Sequence, residues 1–177
     1  IAVLNSADFD EKQLEDKISS IAQVDKSMLM QSTDGIAENE SENQSVSMIV
    51  PKSPENMGDY IDLVSAENGS NLEVKSGSVI ITQKLAKLLD LKTGDTITIK
   101  LSGHEEKEFK IGGVSKNYAL HYIYITPDDF ESVYGEKPVY NLSFIDLKKD
   151  TDENSFKEQL ISNDEFYGIS FKNDSSR

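Results

Sequence analysis

"GSVIITQKLAKLLDLKTGDTITIKL", residues 77–101, is the most strongly patterned stretch of the chain, and its reading decides the fold. A short apolar run leads into a helix-period run in which Leu85, Leu88 and Leu89 fall on one side. A Gly-Asp turn and an alternating run, "TITIKL", follow. Strand, helix and strand in this order cradle a phosphate only if glycines separate the first strand from the helix, letting backbone N–H groups approach the anion. The junction here is "VIITQKLAK", with Thr82 as N-cap and no glycine after Gly77. Gly94 lies beyond the helix, in "LKTGDT", where a tight turn asks for a residue at positive φ. The stretch is therefore read as structural, its helix capped by Thr82 and packed by leucines.

The rest of the chain narrows the class. Its 177 residues suit one large domain or two small lobes sharing a core. The formal charge of −14 repels polyanions and disfavours anionic lipid, so nucleic acid is not an expected partner. The absence of cysteine removes disulfides, Fe–S clusters, thiolate zinc and thiol nucleophiles together. It fits a bacterial protein in either compartment, and the Asn-x-Ser matches at Asn39, Asn43, Asn68, Asn141 and Asn173 are then chance products of Asn/Ser-rich loops. The chain begins at Ile1, ends in "FKNDSSR" and has no apolar run near the ~20 residues of a membrane helix. It reads as a piece of something longer.

Before residue 58 the pattern gives a helix with Leu14, Ile18 and Ile21 on one face, then strands in "QVDKSMLMQS" and "QSVSMIVP". Between the strands, "TDGIAENESEN" is polar and acidic and predicts a mobile loop. "YIDLVSAENGSNLEV" predicts two short strands around Asn68-Gly69. In "HYIYITP", His121, Ile123 and Ile125 share one face, and Tyr122 and Tyr124 the other. "TPDDFESVYG" is a helix with Thr126 as N-cap, Pro127 at its first position and Gly135 as its stop. The tail, "VYNLSFIDL" to "YGISFK", is a strand, helix and strand able to form a parallel crossover. The expected fold is α+β in two lobes. A discontinuous α/β lobe comes from residues 1–57 and 138–177, and an inserted β-rich lobe with short helices spans 58–137.

Few residues offer chemistry. His104 lies in the charged turn "SGHEEKE" and is read as a solvated loop residue. His121 stands beside tyrosines at a strand start, with no G-x-S-x-G or H-E-x-x-H anywhere to support a triad or a zinc site. "DTDENS" from Asp150 lacks the glycine and the bidentate acid of a calcium loop, and Thr151 or Asp152 capping a helix explains the same letters. No catalytic, metal or cofactor residue is expected. The remaining oddity is a run of tyrosines between 118 and 140. Two readings stand: the tyrosines pack against the helix starting at Thr126, or they form a partner-contact patch. The candidate contact residues are Tyr118, His121, Tyr122, Tyr124 and Tyr140.

Three stretches taken in order, residues 77–101, "FKIGGVSKNYALHYIYITPDDFESVYGEKPVYN" and "EQLISNDEFYGISF", resemble the extracytoplasmic domain of FtsX-like ABC transporter permeases. They are most similar to the large permeases of Gram-positive bacteria and more distantly to the MacB periplasmic core domain. The likeness is clear from about Asp59 to Phe171. It implies a porter-like end lobe and a domain looped between two membrane helices on the extracellular face of the cell membrane. It also implies that a cognate cytoplasmic subunit hydrolyses ATP, that permeases pair as a dimer, and that dimer closure moves these domains by mechanotransmission. The cargo or partner would be an extracellular peptide, antibiotic, lipoprotein or cell-wall enzyme. The alternatives are a free-standing secreted module binding a wall glycan or peptide, and a hydrolase built around His121.

Overall fold

The computed structural model describes residues 2–4, 11–39, 42–61, 63–116, 121–140, 142–150, 152, 154–156, 158 and 166–169. The chain order opens with strand β1 (Ala2–Leu4), helix α1 (Glu11–Ser19), the long strand β2 (Val24–Glu38) and β3 (Asn43–Pro51). A 3-10 turn (Pro54–Asp59) precedes β4 (Val79–Thr82), α2 (Gln83–Leu89), β5 (Thr96–Leu101) and β6 (Glu106–Ser115). Then come β7 (Tyr122–Tyr124), α3 (Pro127–Tyr134), β8 (Leu142–Leu147) and β9 (Phe166–Ile169). The fold is α+β. Among the described residues, nine strands run in the order β3-β7-β4-β6-β5-β2-β8-β1-β9, and β3 also pairs with β2. That extra pairing closes six strands, β2-β3-β7-β4-β6-β5, into a ring. A barrel this narrow must be filled by side chains, and it is. Ala37, Met48, Ile81, Ile99, Ile111 and Ile123, one from each strand, are buried together in a single cluster.

The other end of β2 belongs to an open sheet. Val24 to Met30 pair antiparallel with β8, β8 pairs antiparallel with β1, and β1 pairs antiparallel with β9. Numbering β1, β2, β8 and β9 as 1 to 4, their spatial order is 4-1-3-2, a split β-α-β arrangement in which each crossover skips one strand. The crossover expected between β8 and β9 is thus present, with β1 lying between its two strands. Helix α1 covers one face: Ile18 packs with Leu29 and with Phe156 from the second crossover's helical turn. Asp152 caps that turn, accepting from the Asn154 N–H at 3.0 Å and the Ser155 hydroxyl at 2.9 Å. Those two bonds hold its carboxyl below the usual carboxylate range. The opposite face meets the 3-10 turn and the segment after it, through Met28, Met30, Met57, Leu63 and Phe144. The side chains of Leu14 and Leu160 lie outside the described residues.

Several local expectations hold. The Thr126 hydroxyl accepts from the Asp129 N–H at 3.2 Å, and Gly135 ends α3 at φ 71°. Gly94 has φ 96°. The turn at Asn68-Gly69 is formed, but its flanking strands shrink to a single bridge between Val64 and Asn71.

Three expectations need correction. In the acidic stretch 33–43, residues 33–38 and Asn43 are strand and not loop. β2 and β3 pair without a break from Met30↔Pro51 to Glu38↔Asn43, and Gly35 to Glu38 pair with β5 as well. The inward positions on this part of β2 are small because β5 lies so near: a Cβ on Gly35 would stand 2.7 Å from the Lys100 carbonyl oxygen. Without large inward residues, the strand carries no hydrophobic alternation to read. Leu88 does not face the core. It is 39% exposed, while Leu85, Ala86 and Leu89 are the buried residues of α2. Thr82 occupies the N-cap position, but its hydroxyl makes no cap bond. It accepts from the Tyr122 N–H at 3.2 Å instead, which ties the start of β7 to the end of β4.

Candidate contact groove

The start of β7 is held from two sides. Alongside the Thr82 bond, the His121 carbonyl accepts from the Ser47 N–H at 3.0 Å, as expected for the parallel β3–β7 ladder. The His121 ring reaches further along β3, with Nδ1 3.1 Å from the Ser45 carbonyl oxygen. A carbonyl only accepts, so Nδ1 carries the proton and donates. Next to this junction is an open groove of about 630 Å³. Its walls are Asp34 to Ile36 of β2, Ser45 to Ser47 of β3, and Lys100 to Ser102 at the end of β5, with Lys84, His121 and Tyr122 beside them. The Asp34 carboxylate accepts from the Ser47 hydroxyl at 3.0 Å. Neither Lys84 nor Lys100 has an ion-pair partner among the described residues.

The candidate contact residues do not form one patch. His121 and Tyr122 line the groove. Tyr122 is half-buried, and burial pushes its hydroxyl pKa up. Tyr124 is 2% exposed and meets Tyr122 edge-on, with ring centroids 6.1 Å apart. Tyr140 is in another core, against the cluster of Ile18, Leu29 and Phe156. Tyr118 lies outside the described residues. Tyr134 is the tyrosine on α3 itself, packed on Phe130 and Phe109. Sequence reading missed Lys84, Lys100 and Asp34. Nothing in their local patterns separates them from the other exposed charges of the chain.

His104 proves to be a tether. Its Nε2 lies 2.5 Å from Glu136 Oε1 and its Nδ1 lies 2.9 Å from the Ser102 carbonyl. The ring also meets Tyr134 edge-on at 5.1 Å. Both nitrogens face acceptors, which favours the doubly protonated ring. The Glu136 hydrogen bond, then the Ser102 carbonyl, raise the His104 pKa above 6.5. The β5–β6 turn is thereby fastened to the end of α3.

A hydrolase would need His121 beside a hydroxyl or a carboxylate. Among the described residues its ring bonds to a backbone carbonyl. Among the same residues, no group of three or more His, Asp or Glu is placed to hold a metal ion. No helix among them is long and apolar enough to cross a membrane.

Among the described residues, a closed six-stranded barrel is fused through β2 to a split β-α-β sheet. The chain is similar to the extracellular domain of the noncanonic ABC-type transporter YknZ from Gram-positive bacteria, with a TM-score of 0.55 and 16% identity over 94% of this chain and 91% of that one. It is also similar to the periplasmic region of MacB from Actinobacillus actinomycetemcomitans, with a TM-score of 0.53 and 12% identity over 94% of this chain and 78% of that one. By sequence, the chain matches no protein-family model and no curated protein. Its fold is that of the extracytoplasmic domains of these ABC transporters, as the resemblance of the three sequence stretches implies.

Proposed function

We propose that this chain is the extracytoplasmic domain of an ABC transporter permease subunit. In this reading it sits on the extracellular face of the cell membrane and couples ATP-driven motion to an extracellular substrate or partner protein. The supporting observation is the likeness to the YknZ extracellular domain, which runs through 94% of this chain and 91% of that domain. A cognate cytoplasmic ATPase would supply the energy, and paired permeases would convert it into movement of their outer domains. The geometry suits that task. A barrel filled by its own side chains conducts nothing and resists deformation. The division into an end lobe (1–57 with 138–177) and an inserted lobe (58–137) belongs to the same reading, with β2 running from the end sheet into the barrel and β3 completing the barrel.

The parent gene provides the test. It should encode apolar spans of about 20 residues just outside both ends of this chain. The full-length product, extracted from membranes in mild detergent, should bring an ATPase subunit with it. A polar linker or a stop codon at both ends would overturn the proposal.

A further inference from the structure

We infer that the groove beside His121 binds an acidic peptide segment of a partner protein. The inference goes beyond the permease reading and does not depend on it. The chain carries a formal charge of −14, so two lysines with no ion-pair partner among the described residues, on one concave surface, are a local reversal of its field. Lys84 and Lys100 arrive from different elements, α2 and β5, and the groove brings them together. The one carboxylate among the described lining residues, Asp34, accepts from the Ser47 hydroxyl. His121 is likewise oriented, its Nδ1 proton given to the Ser45 carbonyl.

The lining also has an apolar element. Ile36 is 44% exposed, one of three large apolar side chains left open among the described residues. A small anion such as phosphate would use the lysines and gain nothing from Ile36. A peptide that alternates acidic and apolar side chains would use both. At about 630 Å³ the groove falls in the range of ligand clefts, roughly 300–1,000 Å³. Nucleic acid fits poorly, since the rest of the surface repels it.

The test is fluorescence anisotropy with a short labelled peptide of alternating Asp and Val, capped at both ends and titrated with the chain at low salt. Saturable binding is expected, with none for the uncharged peptide that carries Asn in place of Asp. The double variant Lys84→Glu/Lys100→Glu should weaken binding by about tenfold or more. Lys92→Glu/Lys137→Glu has the same net charge but changes exposed lysines outside the groove lining, and should leave binding unchanged. Equal loss in both double variants would reduce the effect to overall charge and overturn the inference. So would the absence of saturable binding, or displacement of the peptide by an equal concentration of inorganic phosphate. If the groove variant melts lower than the parent, the single changes Lys84→Gln and Lys100→Gln carry the same comparison.

Discussion

Two glycines face opposite constraints. Gly94 has φ 96° and open space where a Cβ would stand. Gly94→Val should therefore cost about 1–2 kcal/mol, the penalty for forcing a side-chain-bearing residue into the left-handed region. At Gly35 the obstacle is space, because an added Cβ would stand 2.7 Å from the Lys100 carbonyl oxygen. Gly35→Ala should cost about 1–3 kcal/mol by overpacking and should also loosen the β2–β5 ladder. Urea unfolding measures both losses, and amide exchange should separate them, with faster exchange at the β2–β5 contact in Gly35→Ala only. An unchanged unfolding midpoint for Gly94→Val would refute the first expectation. His104 makes a pH-dependent contribution. Its folded pKa is raised above 6.5, so the tether's stabilisation is complete below that value and fades as pH climbs through the raised one. The gap in melting temperature between the parent and His104→Gln should be widest near about pH 6 and should close towards about pH 9. A gap constant across that range would mean that the ring acts by packing alone.

At the scale of elements, α2 shows what sequence pattern can and cannot resolve. Its limits, its turn and its neighbouring strands were legible, because a leucine period and a glycine beyond the helix are strong local signals. Which leucines point inward was not, since seven residues make barely two turns and the deciding contact is with the barrel. Leu89→Ala should cost about 2–5 kcal/mol, whereas Leu88→Ala should stay within about 0.5 kcal/mol. Equal losses in chemical denaturation would contradict the burial assigned to them. β2 failed to show itself for a different reason. Its inward Gly35 and Ala37 are small because β5 is close, so half of a 15-residue strand looked like an acidic loop. The groove was legible only at His121 and Tyr122. Its lysines meet through barrel closure, and ring closure is a relation between distant strands that no local pattern encodes.

The whole molecule is organised around β2, which serves as a stave of the barrel at one end and an edge of the split β-α-β layer at the other. The layer formed by the chain ends and the barrel are therefore joined by the continuous backbone of one strand. The same fact governs which pieces of the chain fold. Residues 58–137 contain β4, β5, β6 and β7 but lack β2 and β3, two of the six staves. Expressed alone, that fragment would leave the barrel interior open and two strand edges unpaired, a state prone to aggregation. Residues 24–137 contain all six staves together with α2 and α3. The longer fragment should give a dispersed amide NMR spectrum and a single cooperative unfolding transition, and the shorter one should give neither. If 58–137 folds cooperatively by itself, the closed ring is not the folding unit, and β2 could not be the rigid link between the two lobes.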